Sequence, residues 1–334
     1  MDSLDLGILR ELSRDQIVWF GSLDPRFSAA QIARRLRVDR ATVSCRLHLW
    51  ERQGFLTGHE IVPSPLVFGA SIAGGNLRVD ALRHKPRILE DLALVPGVIS
   101  AVDHVGPWVA LLFAFETRPG LERSRRLLAK LEGVGEVTPC VPFQAPEPNV
   151  APTPLDWRIL NALRTRPRRP LHDIAKSVPI SAKTLARRMD GLVRGRVMWY
   201  LPLLDFTRYT KATVTRLVVT VRPGAILERV SEAAARVVPG LSNLVDTSPL
   251  VGSGGPMPAI LDIVAHLDSV GHAEDVQRTL STLDSVEEVE VLFPRRFYLY
   301  RGWFDEHIDL ALARTQGPAL PRSGGRVGVG PSRT

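Results

Sequence analysis

Arg40, Thr42, Ser44 and Arg46 fall within seven consecutive residues, and Lys183, Thr184, Arg187 and Arg188 fall within six further along the chain. Guanidinium and ammonium groups interleaved with short hydroxyls suit one chemistry well, hydrogen bonding to a nucleic acid. Arginine addresses guanine through two parallel bonds, while contacts to phosphate mainly fix a protein's register. The apolar residues around both sets follow one pattern. Ile32-Ala33, Leu36, Val38, Thr42-Val43, Arg46-Leu47 and Trp50 match Ile174-Ala175, Val178, Ile180, Thr184-Leu185, Arg188-Met189 and Leu192, every pair 142 positions apart. Internal repetition of this kind decides the architecture before any single element does.

The pattern is that of a helix-turn-helix. Ala33 and Ala175 are small enough to let a second helix approach, and Val38 and Ile180 plug the turn. Val43, Leu47 and Trp50, with Leu185, Met189 and Leu192 in the second copy, are spaced four and three apart and form one apolar stripe. Asp39 and Ser181 stand where an N-cap opens the second helix. The outward residues at its start normally meet base edges in the major groove. They are Arg40, Ala41, Thr42 and Ser44 in one copy and Ala182, Lys183, Thr184 and Ala186 in the other, with Arg46, Arg187 and Arg188 placed for phosphate or base contact. Arg40 faces Ala182, Ala41 faces Lys183 and Cys45 faces Arg187. Different outward residues imply two non-identical half-sites on double-stranded DNA.

The net charge is +8, and its placement says more than its size. Residues 26–53 hold seven arginines against Asp39 and Glu51, and residues 157–196 hold eleven Lys and Arg against Asp173 and Asp190. The remainder is net acidic, so positive charge gathers on the repeated segments, as a polyanion-binding surface requires. Two cysteines, Cys45 and Cys140, cannot build a disulfide framework or a four-ligand zinc site. The histidines show no metal-ligand spacing, so no metal, cofactor or catalytic residue is expected. No apolar run approaches the roughly 20 residues that span a bilayer, and no basic stretch precedes an apolar core at the start. The chain is expected to be cytoplasmic, with no membrane partner.

The elements that position these residues read as α+β: two winged helix-turn-helix domains alternating with two ferredoxin-like (βαββαβ) domains. The first head covers 1–62, with an extra stretch at 14–25, and the second covers 155–205. Segments 56–68 and 198–209 are expected to form the wings and the crossings into the next domain. A ferredoxin-like domain follows at 66–143, with strands near 72–79, 98, 109–115 and 135–141 and helices near 86–94 and 121–131. The other occupies 210–300, with strands near 213–221, 259–267 and 286–293 and helices near 226–237 and 273–283. Gly106-Pro107 and Gly255-Pro256 mark matching hairpin loops. Residues 144–154 form a Pro-rich spacer, since 142–154 holds five prolines. Residues 301–313 add an amphipathic helix, and 315–334 is a Gly/Pro/Ser/Arg-rich tail expected to be disordered.

The run of Leu-Asp, Ile-Leu, Ser28, Ile32-Ala33, Val38, Thr42-Val43, Arg46-Leu47, Trp50-Glu51 and Gly54-Phe55-Leu56 resembles the Lrp/AsnC (feast/famine) transcriptional regulators. The resemblance extends over about 1–143 and again over 155–295. It implies a DNA-binding regulator whose α+β domains pair through their sheets, either within one chain as a pseudo-dimer or between chains as a homo-oligomer. It also implies an amino-acid effector held near Gly97, Gly106, Gly240 and Asp262. The chain departs from the family in three ways. It carries two copies, it places Arg196 where the first copy has Gly54, and it lacks the acid expected just after Gly106. Two alternatives stand beside this reading. One is a tetrapyrrole enzyme similar to the sirohaem decarboxylases, which resemble the same family, and the other is a ligand-binding or oligomerisation module that no longer binds DNA.

Overall fold

A computed structural model describes residues 3–12, 29–138, 140–143, 145–164, 170–208, 213–238, 243–246, 259–267 and 269–316. The extra stretch at 14–25, Gly240, the Gly255-Pro256 loop and the tail beyond Gln316 lie outside the described residues.

The chain opens with three helices, α1 (Ser3–Leu12), α2 (Ala29–Leu36) and α3 (Arg40–Arg52). The Asp39 carboxylate caps α3 by accepting from the Ala41 N–H at 2.6 Å, as an N-cap acceptor should. The apolar stripe faces inward: Ile32, Ala33, Val43, Leu47 and Trp50 are buried against Ile8, Leu9 and Leu12. Strand β1 (Leu56–Pro63) leaves this head.

The next unit runs β2 (Ser71–Val79), α4 (Lys85–Asp91), β3 (Val98–His104), β4 (Trp108–Phe115), α5 (Arg118–Leu128) and β5 (Val134–Val137). Its sheet order β3-β4-β2-β5 is the ferredoxin-like one. The expected closing strand is split. β5 ends at Val137, and a short β6 (Val141–Phe143) pairs separately with the other end of β2. Residues 145–153 then run without helix or strand to the second head, whose helix starts at Pro154 rather than 155. A reciprocal capping box sets that start, with the Thr153 N–H donating to Asp156 Oδ2 at 2.8 Å.

The second head repeats the arrangement as α6 (Pro154–Leu163), α7 (Leu171–Ser177), α8 (Ala182–Arg194) and β7 (Met198–Leu204). Ser181 Oγ caps α8 by accepting from the Thr184 N–H at 3.1 Å. The segments expected to be wings form no hairpin within either head. β1 and β7 pair with each other, antiparallel, from Leu56 opposite Leu204 to Pro63 opposite Met198. Each segment supplies one strand only, and a lone strand leaves a row of N–H and C=O groups needing a partner. Each strand takes the other's edge.

A second ferredoxin-like sheet follows from β8 (Thr213–Val221), α9 (Leu227–Val237), β9 (Asn243–Asp246), β10 (Ala259–Leu267), α10 (Val270–Ser281) and β11 (Val286–Leu292), in the order β11-β8-β10-β9. The chain then crosses over. β12 (Pro294–Leu299) extends the first sheet by pairing with β3, so the end of the 210–300 segment belongs structurally to the first unit. The last helix, α11 (Gly302–Gln316), buries Phe304 and Ile308 and joins α6 through Arg164 and Asp309 at 2.9 Å. It thus continues past 315, where the tail was expected to begin.

Helices α3 and α8 end alike. After α3 the Phe55 N–H reaches Trp50 O at 3.0 Å, and after α8 the Val197 N–H reaches Leu192 O at 2.9 Å. Bonds of this span need a left-handed residue in between. Gly54 takes it at φ 72° and Arg196, its counterpart, at φ 57°. A side chain in that conformation costs about 1–2 kcal/mol. Gly54→Arg should therefore lower stability by about 1–2 kcal/mol, while Arg196→Gly should raise it by about 0.5–1 kcal/mol. Urea unfolding of the two variants checks both signs.

Candidate nucleic-acid interface

The N-terminal turns of α3 and α8 are solvent-exposed. Arg40, Ala41, Thr42 and Cys45 are exposed on α3, with Ser44 half-buried; Lys183 and Arg187 are exposed on α8. Arg40, Lys183 and Arg187 form no ion pair among the described residues, so their charges face solvent. The Thr184 hydroxyl instead sits 2.9 Å from Ser181 Oγ, within the cap.

Arg46 and Arg188 are placed differently from the other basic residues. Arg46 Nη1 donates to both oxygens of Asp5, at 3.1 and 3.2 Å, and Asp5 is buried in α1. In the second head Arg188 Nη1 stands 3.6 Å from Asp156 Oδ2, and Asp156 is buried in α6. Each arginine thus ties the third helix of its head to the first, α3 to α1 and α8 to α6. The second tie is looser because Asp156 Oδ2 also accepts from Thr153. The sequence carries both acids in the repeated Leu4-Asp5 and Leu155-Asp156 pairs, 41 and 32 residues from their arginines, too far for local spacing to reveal the partnership. The turns before the recognition helices also differ, since Arg37 takes φ 56° where the second copy has Pro179.

Three of the four positions linked to an effector, Gly97, Gly106 and Asp262, each have a task in the fold. Gly97 has φ 79° and a Cβ there would lie 2.6 Å from the Ala114 carbonyl oxygen, so the glycine serves the close approach of its turn to β4. Gly106, at φ 82°, turns the β3–β4 hairpin, and its carbonyl accepts from Lys85 Nζ at 2.7 Å. Asp262 is buried, and both its oxygens are engaged by Arg216 of β8. Gly240 is outside the described residues.

A group of buried charges sits nearby. Lys85 Nζ lies 2.6 Å from Asp103 Oδ1, and burial lowers the lysine's pKa even so. His104 is fully buried, and burial, with the charges of Arg216 and Lys85, holds its pKa well below the usual histidine range. The imidazole is therefore neutral. Among the described residues no group of His, Cys, Asp and Glu is arranged to hold a metal ion, and no helix is long and apolar enough to cross a membrane.

Residues 153–193 match the model of the AsnC-type helix-turn-helix domain. The chain carries that domain, and the Lrp/AsnC resemblance read from the sequence stands on it. Among solved structures, the chain is similar to the siroheme decarboxylase NirDL, at 15% identity and a TM-score of 0.52, over 92% of this chain and 99% of that one. The same enzyme in co-complex with an iron-uroporphyrin III analogue gives a TM-score of 0.51 at 15% identity, over 92% of this chain and 100% of that one. AsnC of E. coli is similar at 20% identity over 44% of this chain and 94% of that one, with a TM-score of 0.30. The likeness to NirDL shows a shared fold. A comparison with curated proteins finds no match.

Breaking the tie between α1 and α3 isolates its role. Arg46→Leu should destabilise the first head by about 1–2 kcal/mol, the range for a charged hydrogen bond that is partly exposed. Amide exchange in α1 and α3 should quicken while that in α9 and α10 stays unchanged. Equal acceleration everywhere would show that the pair does not act locally.

Proposed function

We propose that the chain is a sequence-specific DNA-binding transcriptional regulator carrying two heads. The observation that carries this reading is the AsnC-type helix-turn-helix domain at 153–193, with the uncompensated charges of Lys183 and Arg187 at the start of its recognition helix. The first three helices repeat its arrangement, with Arg40 in the equivalent turn. On this reading the units form a tandem repeat, and the β1–β7 pairing makes one chain a pseudo-dimer.

Arg40, Thr42 and Ser44 then address one half-site, and Lys183, Thr184 and Arg187 the other. Arg46 and Arg188 act mainly by orienting their helices, through Asp5 and Asp156. Unlike outward residues on like scaffolds suit an asymmetric operator. Gly97, Gly106 and Asp262 already serve the fold, which leaves an amino-acid effector no free group among them.

Binding to the chain's own upstream region, measured by gel shift, should weaken about 10³-fold or more between 50 and 200 mM salt if six or more phosphates are contacted. Arg40→Ala should relax preference in one half-site and Lys183→Ala in the other, each by about 1–3 kcal/mol per base pair read. No binding at low salt would sink the regulator, and an unchanged Arg40→Ala footprint would sink the docking of the first head.

The shared fold with a siroheme decarboxylase supports a second reading, an enzyme acting on a tetrapyrrole. Fold alone does not carry chemistry between proteins, and exposed arginines at the recognition helices have no task in such an enzyme. Titration with an iron tetrapyrrole separates the readings. A regulator should give no saturable Soret shift, and a stoichiometric shift would favour the enzyme.

A further inference from the structure

β2 and β8 correspond along their whole length, Ser71 with Thr213 and Val79 with Val221, at the 142-residue spacing of the repeat. Where the two units meet, the correspondence is broken by charge. Arg216 of β8 donates from Nη1 to Asn76 Oδ1 of β2 at 3.1 Å, a side-chain bond between the two sheets. Its other nitrogens are held within its own sheet. Nε lies 3.0 and 2.9 Å from the Asp262 oxygens, and Nη2 lies 2.6 Å from Oδ2. Arg216 and Asp262 are both 7% exposed. A buried ion pair is poor evidence for added stability, and its best attested use is to fix which surfaces pair.

The repeat shows what each alternative pairing would lose. Asn76 corresponds to Val218 and Arg216 to Gly74. Leu77 pairs with Val109 as Val219 pairs with Leu261, so Asp262 corresponds to Ala110. We propose that Arg216, clamped by Asp262 and received by Asn76, makes the chain's own two α+β units choose each other and reject the units of a second copy. Two second units set face to face would put Val218 where Asn76 stands, leaving each guanidinium buried against a valine. Two first units would put Gly74 where Arg216 stands, leaving the Asn76 carbonyl oxygen without its donor. Stranding a buried polar group costs far more than a made bond returns. Only the mixed pair satisfies both sides. The neighbouring ionisable groups are Glu290 of β11 and His104 of β3, and the neutral imidazole adds no charge to the junction.

This inference rests on the two-unit reading proposed above but not on DNA binding, so its test uses no DNA. Gly58 and Leu203 face each other in the β1–β7 ribbon, and a Cβ on Gly58 would stand 3.7 Å from Leu203 Cδ1. The full chain with Gly58→Cys and Leu203→Cys, and with Cys45→Ser to remove the exposed thiol, reports who pairs with whom once oxidised. On a non-reducing gel it should run as a single chain of 36.9 kDa. Adding Arg216→Leu and Asp262→Leu, which removes both charges together, should raise the double-mass band at least about tenfold, a preference change of one decade. Asn76→Val leaves the ion pair intact and should raise it less; it serves where the double variant fails to melt cooperatively. A double-mass band already dominant in the parent overturns the proposal. So does a single-chain band in a folded double variant and in Asn76→Val. Intact cross-linking in a chain that ignores DNA would refute only the regulator.

Discussion

Strand β1 leaves the first head with one edge of its backbone unpaired, and β7 leaves the second head in the same condition. An exposed edge of this kind is a template for whatever strand arrives first. Here the complementary edge is carried on the same polypeptide, so closure is an intramolecular event at high effective concentration. Everything beyond the ribbon follows from it. The two heads are drawn together, and the chain on either side is delivered to the two ferredoxin-like sheets. β12 and α11 then carry the end of the chain back to the first unit and to α6. Residues 294–316 therefore bind the halves a second time, against the ribbon itself, where Arg301 reaches Glu60 of β1 at 2.6 Å and Phe304 packs with Val62 and Trp199.

The two copies keep the same buried frame and vary almost everything else. Val43, Leu47 and Trp50 correspond to Leu185, Met189 and Leu192, changes of size and shape that a core tolerates if volume and pattern are kept. The Asp–Arg ties are also kept, although the second is longer. Charge at the recognition helices and at the sheet junction is where the copies part. Arg40, Lys183 and Arg187 differ on the outside, and Arg216, Asp262 and Asn76 differ on the inside. The two kinds of difference have one consequence. A chain whose halves cannot exchange places presents its two unlike heads in a fixed relation to each other.

Most of the frame was legible from periodicity. Spacings of three and four gave the recognition helices, Asp39 and Ser181 gave their caps, and β-branched alternation gave β8. Pairing partners were not legible, because hydrogen bonding along a strand edge is independent of side-chain identity. The segments beginning at Leu56 and Met198 looked like wings for that reason. The crossing of β12 was hidden in the same way, since a strand following β11 reads as part of the same sheet. At the site, the outward residues were readable from the helical face, but the engagement of Arg46 was not. Its partner Asp5 lies 41 residues away on another helix, and no local spacing connects them. Asp262 was drawn toward an effector role by a family pattern, while its buried partner Arg216 sits in a strand otherwise full of β-branched residues.

The fold shared with a siroheme decarboxylase sharpens what separates a reader of DNA from an enzyme on one scaffold. Catalysis needs polar groups held ready but unspent, poised toward a substrate in a water-excluded site. Around the junction of the two sheets the charged side chains engage one another, Lys85 with Asp103 and two carbonyls and Arg216 with Asp262 and Asn76, while the ring nitrogens of His104 are buried without a hydrogen-bond partner among the described residues. His104 is neutral and fully enclosed. Arg40, Lys183 and Arg187 lie instead at the surface, in the first two turns of α3 and α8, where a polyanion can reach them without disturbing the core. Compensated charge within and uncompensated charge at two helix starts is an arrangement suited to binding, because phosphate contact draws on surface charge and asks nothing of the buried groups.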